Sequence, residues 1–258
     1  MPLQCLSRRA SYVTVVFCLA LVGCTPSEIV STIINELDVV EITGIVETRS
    51  GEPIENVTVR APLGDRIFQD ETDSVGSFTL LLPNDELPRN FLLLFYKEGF
   101  VPVGKNYSRS GSRRLEVNVD IEETRPNQVF ADGFLNLVHL GDDSYSGSIN
   151  SQFQKRTDGL THTTFFDIPL ELMSYQSVTL SILAKGLQVE NELIINDTLV
   201  AYLDSSAETG AFTRVIFEPF ETQALLRSGR NTLRINSVFA GGTYDDFEFT
   251  NIMFEFEN

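Results

Sequence analysis

The chain has 258 residues, of which 42% are hydrophobic, so it is long enough for two modest domains and too apolar to be disordered by composition. Its formal charge of −17 disfavours binding to nucleic acid and to anionic lipid head groups. The cysteines are Cys5, Cys18 and Cys24, so a chain processed to begin at Cys24 has one thiol and cannot form an intrachain disulfide.

An export signal is predicted at residues 1–23. Arg8 and Arg9 supply a positive start, and Tyr12 to Val22 is an apolar run without charge. At eleven residues, a helix of this run is too short to span a hydrocarbon core of about 30 Å. We therefore expect a cleaved signal peptide. Its removal takes away two arginines and no acid, which leaves a net charge of −19.

A lipid attachment site is predicted at the end of this signal. The sequence Leu-Val-Gly at 21–23, followed by Cys24, resembles the lipobox of bacterial lipoproteins. The resemblance implies that the Cys24 thiol carries a diacylglyceryl group and that the lipid holds the protein to a membrane. By resemblance to lipoproteins of two-membrane bacteria, Thr25 in place of Asp favours the outer membrane. Residues 24–39 would then be a lipidated tether, and the alternative is a plain signal peptide with an unrelated cysteine.

Residues 40–124 are predicted to form a first β-sandwich. Apolar residues alternate at Phe78, Leu80 and Leu82, which is typical of a half-buried strand. The run from Phe91 to Tyr96 is nearly all apolar, as expected of a strand buried on both faces. Further strands are predicted at 43–48, 57–59 and 115–121.

Four sequence anchors in this region occur in a recognisable order. They are Gly44-Ile45-Val46, Gly51 to Val59, Thr72-Asp73 with Gly76-Ser77-Phe78, and Phe95 to Phe100. Together they resemble the carboxypeptidase regulatory-like domain, which is a transthyretin-like sandwich. The resemblance implies an accessory or spacer module without catalytic residues. We expect the glycines of these anchors and Asn56 to form turns.

Residues 127–258 are predicted to form a second β-rich module, which begins after Pro126. Asn196-Asp197 lies between two apolar runs and predicts a tight β-hairpin, because both residues tolerate positive φ. The apolar alternation changes parity between Phe249 and Ile252, which predicts a β-bulge there.

The second module resembles a galactose-binding-like jelly roll of the kind found in carbohydrate-binding modules. The resemblance rests on residues 192–197, 229–235 and 245–249. The chain has no Trp, which departs from members that stack sugars on Trp. The predicted fold class is therefore all-β, with two β-sandwich domains, the first transthyretin-like and the second a jelly roll.

Recognisable catalytic chemistry is absent from the sequence. His139 and His162 are the two histidines, and no His-x-x-x-His, Gly-x-Ser-x-Gly, Walker loop or cysteine pair occurs. A Ser-His-Asp arrangement can also assemble across a fold, so a hydrolase stays an alternative. We predict that the protein is not an enzyme and that each histidine is an ordinary surface or strand residue.

A calcium site is predicted from two acidic pairs. Asp142-Asp143 follows Gly141, and Asp245-Asp246 follows a glycine pair. The first and last strands of a jelly roll often run side by side, so these loops could bring four carboxylates together. Calcium, with six to eight oxygen ligands, would relieve their repulsion. The alternative is that all four are solvated loop acids, and no other cofactor is indicated.

Three functions remain open on the sequence alone. The second module could bind a glycan or a cell-surface partner, both modules could be structural spacers, or the chain could be an uncommon hydrolase. Exposed aromatic residues in a groove would favour binding, and a convex acidic surface would favour a spacer. A buried histidine beside Ser or Asp in a cleft would favour hydrolysis.

Overall fold

A computed structural model describes residues 38–131, 136–144, 153–204 and 210–258. The predicted signal peptide, Cys24 and all but the last two residues of the predicted tether lie outside these ranges. Within them, no helix is long and apolar enough to cross a membrane. The described chain is built from β-sandwiches with very little helix, which confirms the predicted all-β fold class.

The first module has seven strands in two sheets. They are β1 (Val39–Glu47), β2 (Thr58–Leu63), β3 (Arg66–Glu71), β4 (Ser77–Pro83), β5 (Asn90–Tyr96), β6 (Val103–Ser108) and β7 (Arg114–Asp120). One sheet has the order β4-β1-β7 and the other has the order β3-β2-β5-β6. Strands β1 and β7 run parallel, and the remaining neighbours in these sheets are antiparallel.

Alternating burial along the strands builds the core between these two sheets. In β4, Phe78, Leu80 and Leu82 are buried while the residues between them face outward, as predicted. Val117 and Val119 of β7 enter the same core. Each fully buried side chain of this size contributes about 1.5–3 kcal/mol, so the period-two pattern is what selects the strand register.

Strand β5 is buried on both of its faces, as its sequence predicts. Phe91 and Phe95 pack into the core of the first module. Leu92 and Leu94 point the other way and are also fully buried, because the second module covers that face of the sheet. The apolar run of β5 is therefore explained by its position between the core of the first module and the apolar contact with the second module.

The turn-forming residues of the first module are mostly where the sequence predicts them. Gly51, Gly76 and Asn56 all have positive φ, as expected in turns. The expectation for Gly44 was wrong, because Gly44 lies inside β1. A Cβ atom at Gly44 would overlap the backbone carbonyl of Val117 on β7, so this glycine serves close strand approach.

The second module contains twelve strands and two short helical turns among the described residues. The strands are β8 (Gln128–Phe130), β9 (Val138–Leu140), β10 (Thr161–Ile168), β11 (Ser177–Lys185), β12 (Asn191–Ile195), β13 (Thr198–Leu203), β14 (Thr213–Ile216), β15 (Phe220–Glu221), β16 (Gly229–Asn236), β17 (Phe239–Ala240), β18 (Thr243–Tyr244) and β19 (Phe247–Glu257). The helical turns are a 3-10 helix at Leu170–Ser174 and α1 at Thr222–Leu225.

Two sheets of the second module enclose its core. One has the order β10-β16-β12-β13, and the other has the order β14-β11-β19-β8. Strands β8 and β9 both pair with β19, so the first strands of the module lie beside its last strand, as expected. This pairing carries the acidic loops toward each other.

Two local predictions for the second module are confirmed. Asn196 and Asp197 have φ values of 47° and 65° and connect β12 to β13 as a two-residue hairpin. The pairing of β11 with β19 slips between Ser181 and Leu183, opposite Asn251, which has a φ of 50°. This irregularity is the β-bulge that the parity change indicated.

The two modules meet in a buried interface. A separate apolar cluster lies between their cores and consists of Leu92, Leu94, Leu137, Leu183 and Phe212. Beside it, the ammonium of Lys185 lies 2.5 Å from the carboxylate of Glu248, and both side chains are buried. The modules have separate cores, but they also share apolar surface; their independent folding stays a prediction.

Candidate functional site

The two acidic loops meet at one end of the second module. The Asp143 N–H donates to Asp246 Oδ1 at 3.0 Å, and the Thr243 hydroxyl donates to Asp142 Oδ1 at 2.9 Å. Strand pairing explains the meeting, because β9 ends just before Asp142 and β19 begins just after Asp246. The structure thus brings Asp142, Asp143 and Asp246 to one place.

Asp142 lies on the outside of this cluster. Its carboxylate accepts hydrogen bonds from the Thr243 hydroxyl and from the N–H groups of Ser144 and Tyr244, at 2.9–3.4 Å. Its slight burial acts to raise its pKa, but these hydrogen bonds outweigh that effect and the pKa is lowered. Asp142 is therefore an exposed carboxylate whose charge is already stabilised by hydrogen bonds from neighbouring residues.

Asp245 does not join the other aspartates. Its Oδ2 accepts hydrogen bonds from the Asn191 side chain at 2.5 Å and from the N–H groups of Gln188 and Val189 at 3.1 and 3.3 Å. Burial raises the pKa of Asp245, while these hydrogen bonds oppose the rise and the charge of Asp246 adds to it. The expected convergence of four aspartates is wrong in this respect, because Asp245 points into a different network.

His139 occupies the inner side of the cluster and was missed as a site residue. Its side chain is fully buried, so it is a strand residue but not a surface one. Its Nε2 lies 3.2 Å from Asp246 Oδ1, and its Nδ1 lies 2.7 Å from the carbonyl oxygen of Lys155. The apolar neighbours Val138 and Leu140 were the sequence signal that this histidine lies in a buried strand.

The charge state of His139 follows from its surroundings. Burial alone would lower its pKa, since it disfavours the charged imidazolium. The hydrogen bonds to Asp246 and to the Lys155 carbonyl, together with the negative charge of Glu248, outweigh burial and raise the pKa. A positive charge, from a proton or another cation, is thus favoured at this position.

The position of His139 does not suit a hydrolase. Its two ring nitrogens face Asp246 and the Lys155 carbonyl, which leaves neither of them to activate a serine. The ring is also closed to solvent, so a substrate has no access to it. His162 lies half-buried with its ring edge-on to Phe249 at 5.6 Å, which is a packing contact.

A groove opens elsewhere in the second module, between the edge strands β13 and β14. Its volume is about 510 Å³, within the range of ligand-binding clefts. The apolar floor includes Leu180, Val200 and Phe217. Tyr202, 47% exposed, lies at the groove. Arg214 also contributes to the lining, but its guanidinium donates to Ser181 Oγ at 3.0 Å, and Ser181 does not line the groove.

Acidic groups complete the lining of this groove, because Asp204 and Glu218 also line it. The groove therefore combines an exposed aromatic ring, an apolar floor and charged hydrogen-bonding groups. No sequence motif marked it, since its residues come from several strands, chiefly β13 and β14, which are edges of different sheets. This combination is the usual composition of a small-ligand cleft.

Comparisons with known proteins add little to this description of the fold and the groove. No family model matches the chain, and no curated protein matches it in sequence. Among solved structures, a DUF3823 family protein from Parabacteroides merdae is 11% identical, with 85% of this chain and 98% of that chain covered and a TM-score of 0.27. The β-porphyranase BpGH86A from Bacteroides plebeius is 16% identical, with 86% and 33% covered and a TM-score of 0.31.

The pilin subunit BcpA from Bacillus cereus is also similar, at 9% identity and a TM-score of 0.26. The match covers 85% of this chain but 59% of the pilin, so this chain spans less than two thirds of that protein's length. At such scores these likenesses carry no argument about function. The function must be inferred from the site geometry.

Proposed function

We propose that this protein is a lipid-anchored, non-enzymatic protein of the cell envelope whose second module binds a neutral glycan. The observation that carries the proposal is the groove between β13 and β14, with an exposed Tyr202 at its side. An exposed ring offers a flat apolar face to the C–H face of a sugar. The acidic residues Asp204 and Glu218, which also line the groove, can accept hydrogen bonds from hydroxyl groups.

The charge of the protein favours a neutral ligand. The chain carries 36 acidic and 19 basic residues, so its field repels sulfated or carboxylated glycans. Within the groove, Asp204 and Glu218 outnumber Arg214. An uncharged polysaccharide is not subject to this electrostatic repulsion.

The binding test uses the full-length protein in detergent on an array of neutral oligosaccharides, followed by calorimetry with the best binder. Tyr202→Ala should weaken binding about tenfold or more, because it removes an aromatic contact at the groove. Tyr202→Phe should lose less, since it keeps the ring. Phe239→Ala is the matched control, because Phe239 is an exposed aromatic residue that does not line the groove.

Two results would contradict glycan binding at the groove. One is an equal loss in Tyr202→Ala and Phe239→Ala. The other is capture of extended peptides but no oligosaccharide, which would make the edges of β13 and β14, where no other described strand pairs, sites for strand addition. Either result would leave the membrane anchor as a separate question.

The anchor has its own test, which rests on the lipobox-like sequence before Cys24. Cys24→Ser should stop incorporation of labelled palmitate and release the protein from the membrane fraction. Ser27→Ala, a nearby change that leaves the cysteine intact, should have no effect. A Cys24→Ser protein that still labels and sediments with membranes would place the anchor elsewhere.

A structural accessory role is the second candidate, and the interface between the modules favours it. Leu92 and Leu94 pack against Leu183 and Phe212, and the Lys185–Glu248 ion pair is buried beside them. Such an interface is suited to holding two modules in one orientation. Failure of every glycan to bind, with the interface intact in solution, would favour this role.

A further inference from the structure

The carboxylate of Asp246 has a buried oxygen that lacks a hydrogen bond. Its Oδ1 accepts from the Asp143 N–H, whereas its Oδ2 is buried and has no hydrogen-bond partner among the residues that the structure describes. The side chain is 1% exposed, so water does not compensate. A buried carboxylate oxygen left unpaired is strongly destabilising unless a cation or donor reaches it.

We propose that His139, Asp143 and Asp246 bind a divalent transition-metal ion of the zinc class, and that Asp142 and Asp245 are not ligands. The three side chains place their donor atoms within 4.8 Å of one another. The site is distinct from the groove, and it goes beyond the proposed glycan binding. Asp246 Oδ2 supplies an unpartnered buried atom in the cluster.

The tautomer of His139 supports a cation at this position. A carbonyl oxygen can only accept, so the Nδ1 atom at 2.7 Å from the Lys155 oxygen must donate its hydrogen. In a neutral imidazole, Nε2 then presents a lone pair to Asp246 Oδ1 at 3.2 Å, which is repulsive unless a positive charge lies there. Metal-binding histidines are commonly held in this way, through a hydrogen bond from the other ring nitrogen to a carbonyl.

The spacing of the donors suits a small ion. Two ligands that are each about 2.0 Å from a tetrahedral zinc lie about 3.3 Å apart. The His139 Nε2 and Asp246 Oδ1 atoms are already 3.2 Å apart. Asp143 is exposed, and one of its carboxylate oxygens belongs to the cluster. Its Oδ1 accepts a hydrogen bond from the Thr157 N–H at 3.1 Å, and a carboxylate that accepts one such bond keeps further lone pairs for an ion.

The ligand types favour the zinc class over calcium. Calcium takes six to eight oxygen ligands, whereas imidazole nitrogen suits zinc and related transition metals. Asp142 and Asp245 do not belong to this group of donor atoms. Asp142 accepts from the Thr243 hydroxyl, and Asp245 accepts from the Asn191 amide.

The test is metal binding by the full-length protein, purified in detergent and stripped with a chelator. Titration with ZnCl₂ should show one ion per chain, and Co²⁺ should give visible absorption that is lost in His139→Gln. Asp143→Asn should weaken zinc binding about tenfold or more, because loss of even an outer-shell partner costs that much. Asp142→Asn is the matched control: it removes the same charge from the adjacent exposed residue and should leave zinc binding unchanged.

Because Asp143 and Asp142 are both exposed, these two variants should fold even if His139→Gln or Asp246→Asn does not. Absence of zinc binding by the unchanged protein would overturn the proposal and make the His139–Asp246 contact a structural ion pair. Equal losses in both aspartate variants would overturn it as well. Calcium binding that depends on Asp142 would restore an oxygen-rich site and remove His139 from the ligands.

Discussion

Asn106 of the first module and Phe212 of the second are joined by two hydrogen bonds. The Asn106 Nδ2 donates to the Phe212 carbonyl oxygen at 2.6 Å, and the Phe212 N–H donates to Asn106 Oδ1 at 3.0 Å. One side-chain amide thus pairs with a backbone as a neighbouring strand would. It does so at the edge of the apolar cluster that contains the Phe212 ring.

Asn106→Ala should lower the free energy of unfolding by about 1–2 kcal/mol, because two partly buried backbone groups lose their partner. Asn106→Asp should cost more, since a carboxylate oxygen would then face the Phe212 carbonyl. Urea unfolding followed by circular dichroism measures both. Ser108→Ala, an exposed change in the same strand, is the control and should have no effect; equal stability of all four proteins would mean that the pair contributes nothing.

Fragments 40–124 and 127–258, expressed separately, should each give a β-type circular dichroism spectrum, because each has its own core. Each should also self-associate, because separation exposes Leu94 on one fragment and Leu183 on the other. Mixing the fragments should restore a one-to-one complex in analytical ultracentrifugation. Two molten fragments would show that the interface cluster belongs to a single core.

Gly141→Ala should destabilise the protein by about 1–3 kcal/mol through overpacking. A Cβ atom there would overlap the carboxylate of Asp246, and Gly141 also has a φ of 142°. Gly159→Ala is the matched control, because Gly159 has a similar φ of 122° with open space around it. Denaturant melts of the two variants separate backbone strain from steric overlap; equal losses would show that the contact with Asp246 is unimportant.

His162 should make the folded state less stable in mild acid. Burial lowers its pKa below the usual value of 6.5; the nearby charge of Asp158 opposes this and that of Lys155 adds to it. The unfolded chain therefore binds the proton more readily than the folded chain. The contribution of His162 to the free energy of unfolding is complete above about pH 6.5 and is lost as the pH falls through the lower pKa of the folded state. His162→Gln should lose less stability than the unchanged protein between about pH 7.5 and pH 5.5 in urea melts; the same loss in both would refute the assignment.

The strand pattern of the fold could be predicted from the sequence, but its interface could not. Apolar alternation located β4 and β7, and the apolar run of β5 indicated burial on both faces. Which surface covers Leu92 and Leu94 depends on residues more than forty positions away, such as Leu137 and Leu183. Periodicity within a strand carries no information about that partner.

The candidate site could be predicted only incompletely. The prediction that the first and last strands of the module are neighbours was correct, and this pairing brings Asp143 close to Asp246. Successive residues of an extended segment point to opposite faces, so Asp245 and Asp246 were poorly placed to share one ion. His139 was missed because its burial depends on segment 153–158, which covers it from outside its own strand.

The parallel pairing of β1 with β7 has a mechanical consequence. The two strands are in register from Glu41 opposite Arg114 to Glu47 opposite Asp120, so the chain enters the first module at one end of this pair and leaves it at the other. If the proposed lipid holds one end and a bound partner pulls the other, the force acts along the strands. The hydrogen bonds between them are then sheared together, whereas in a hairpin pulled from its open end they would break in succession. A short module with this strand arrangement resists extension when the force is applied at its two chain ends, which is where an anchored protein of the envelope would be pulled.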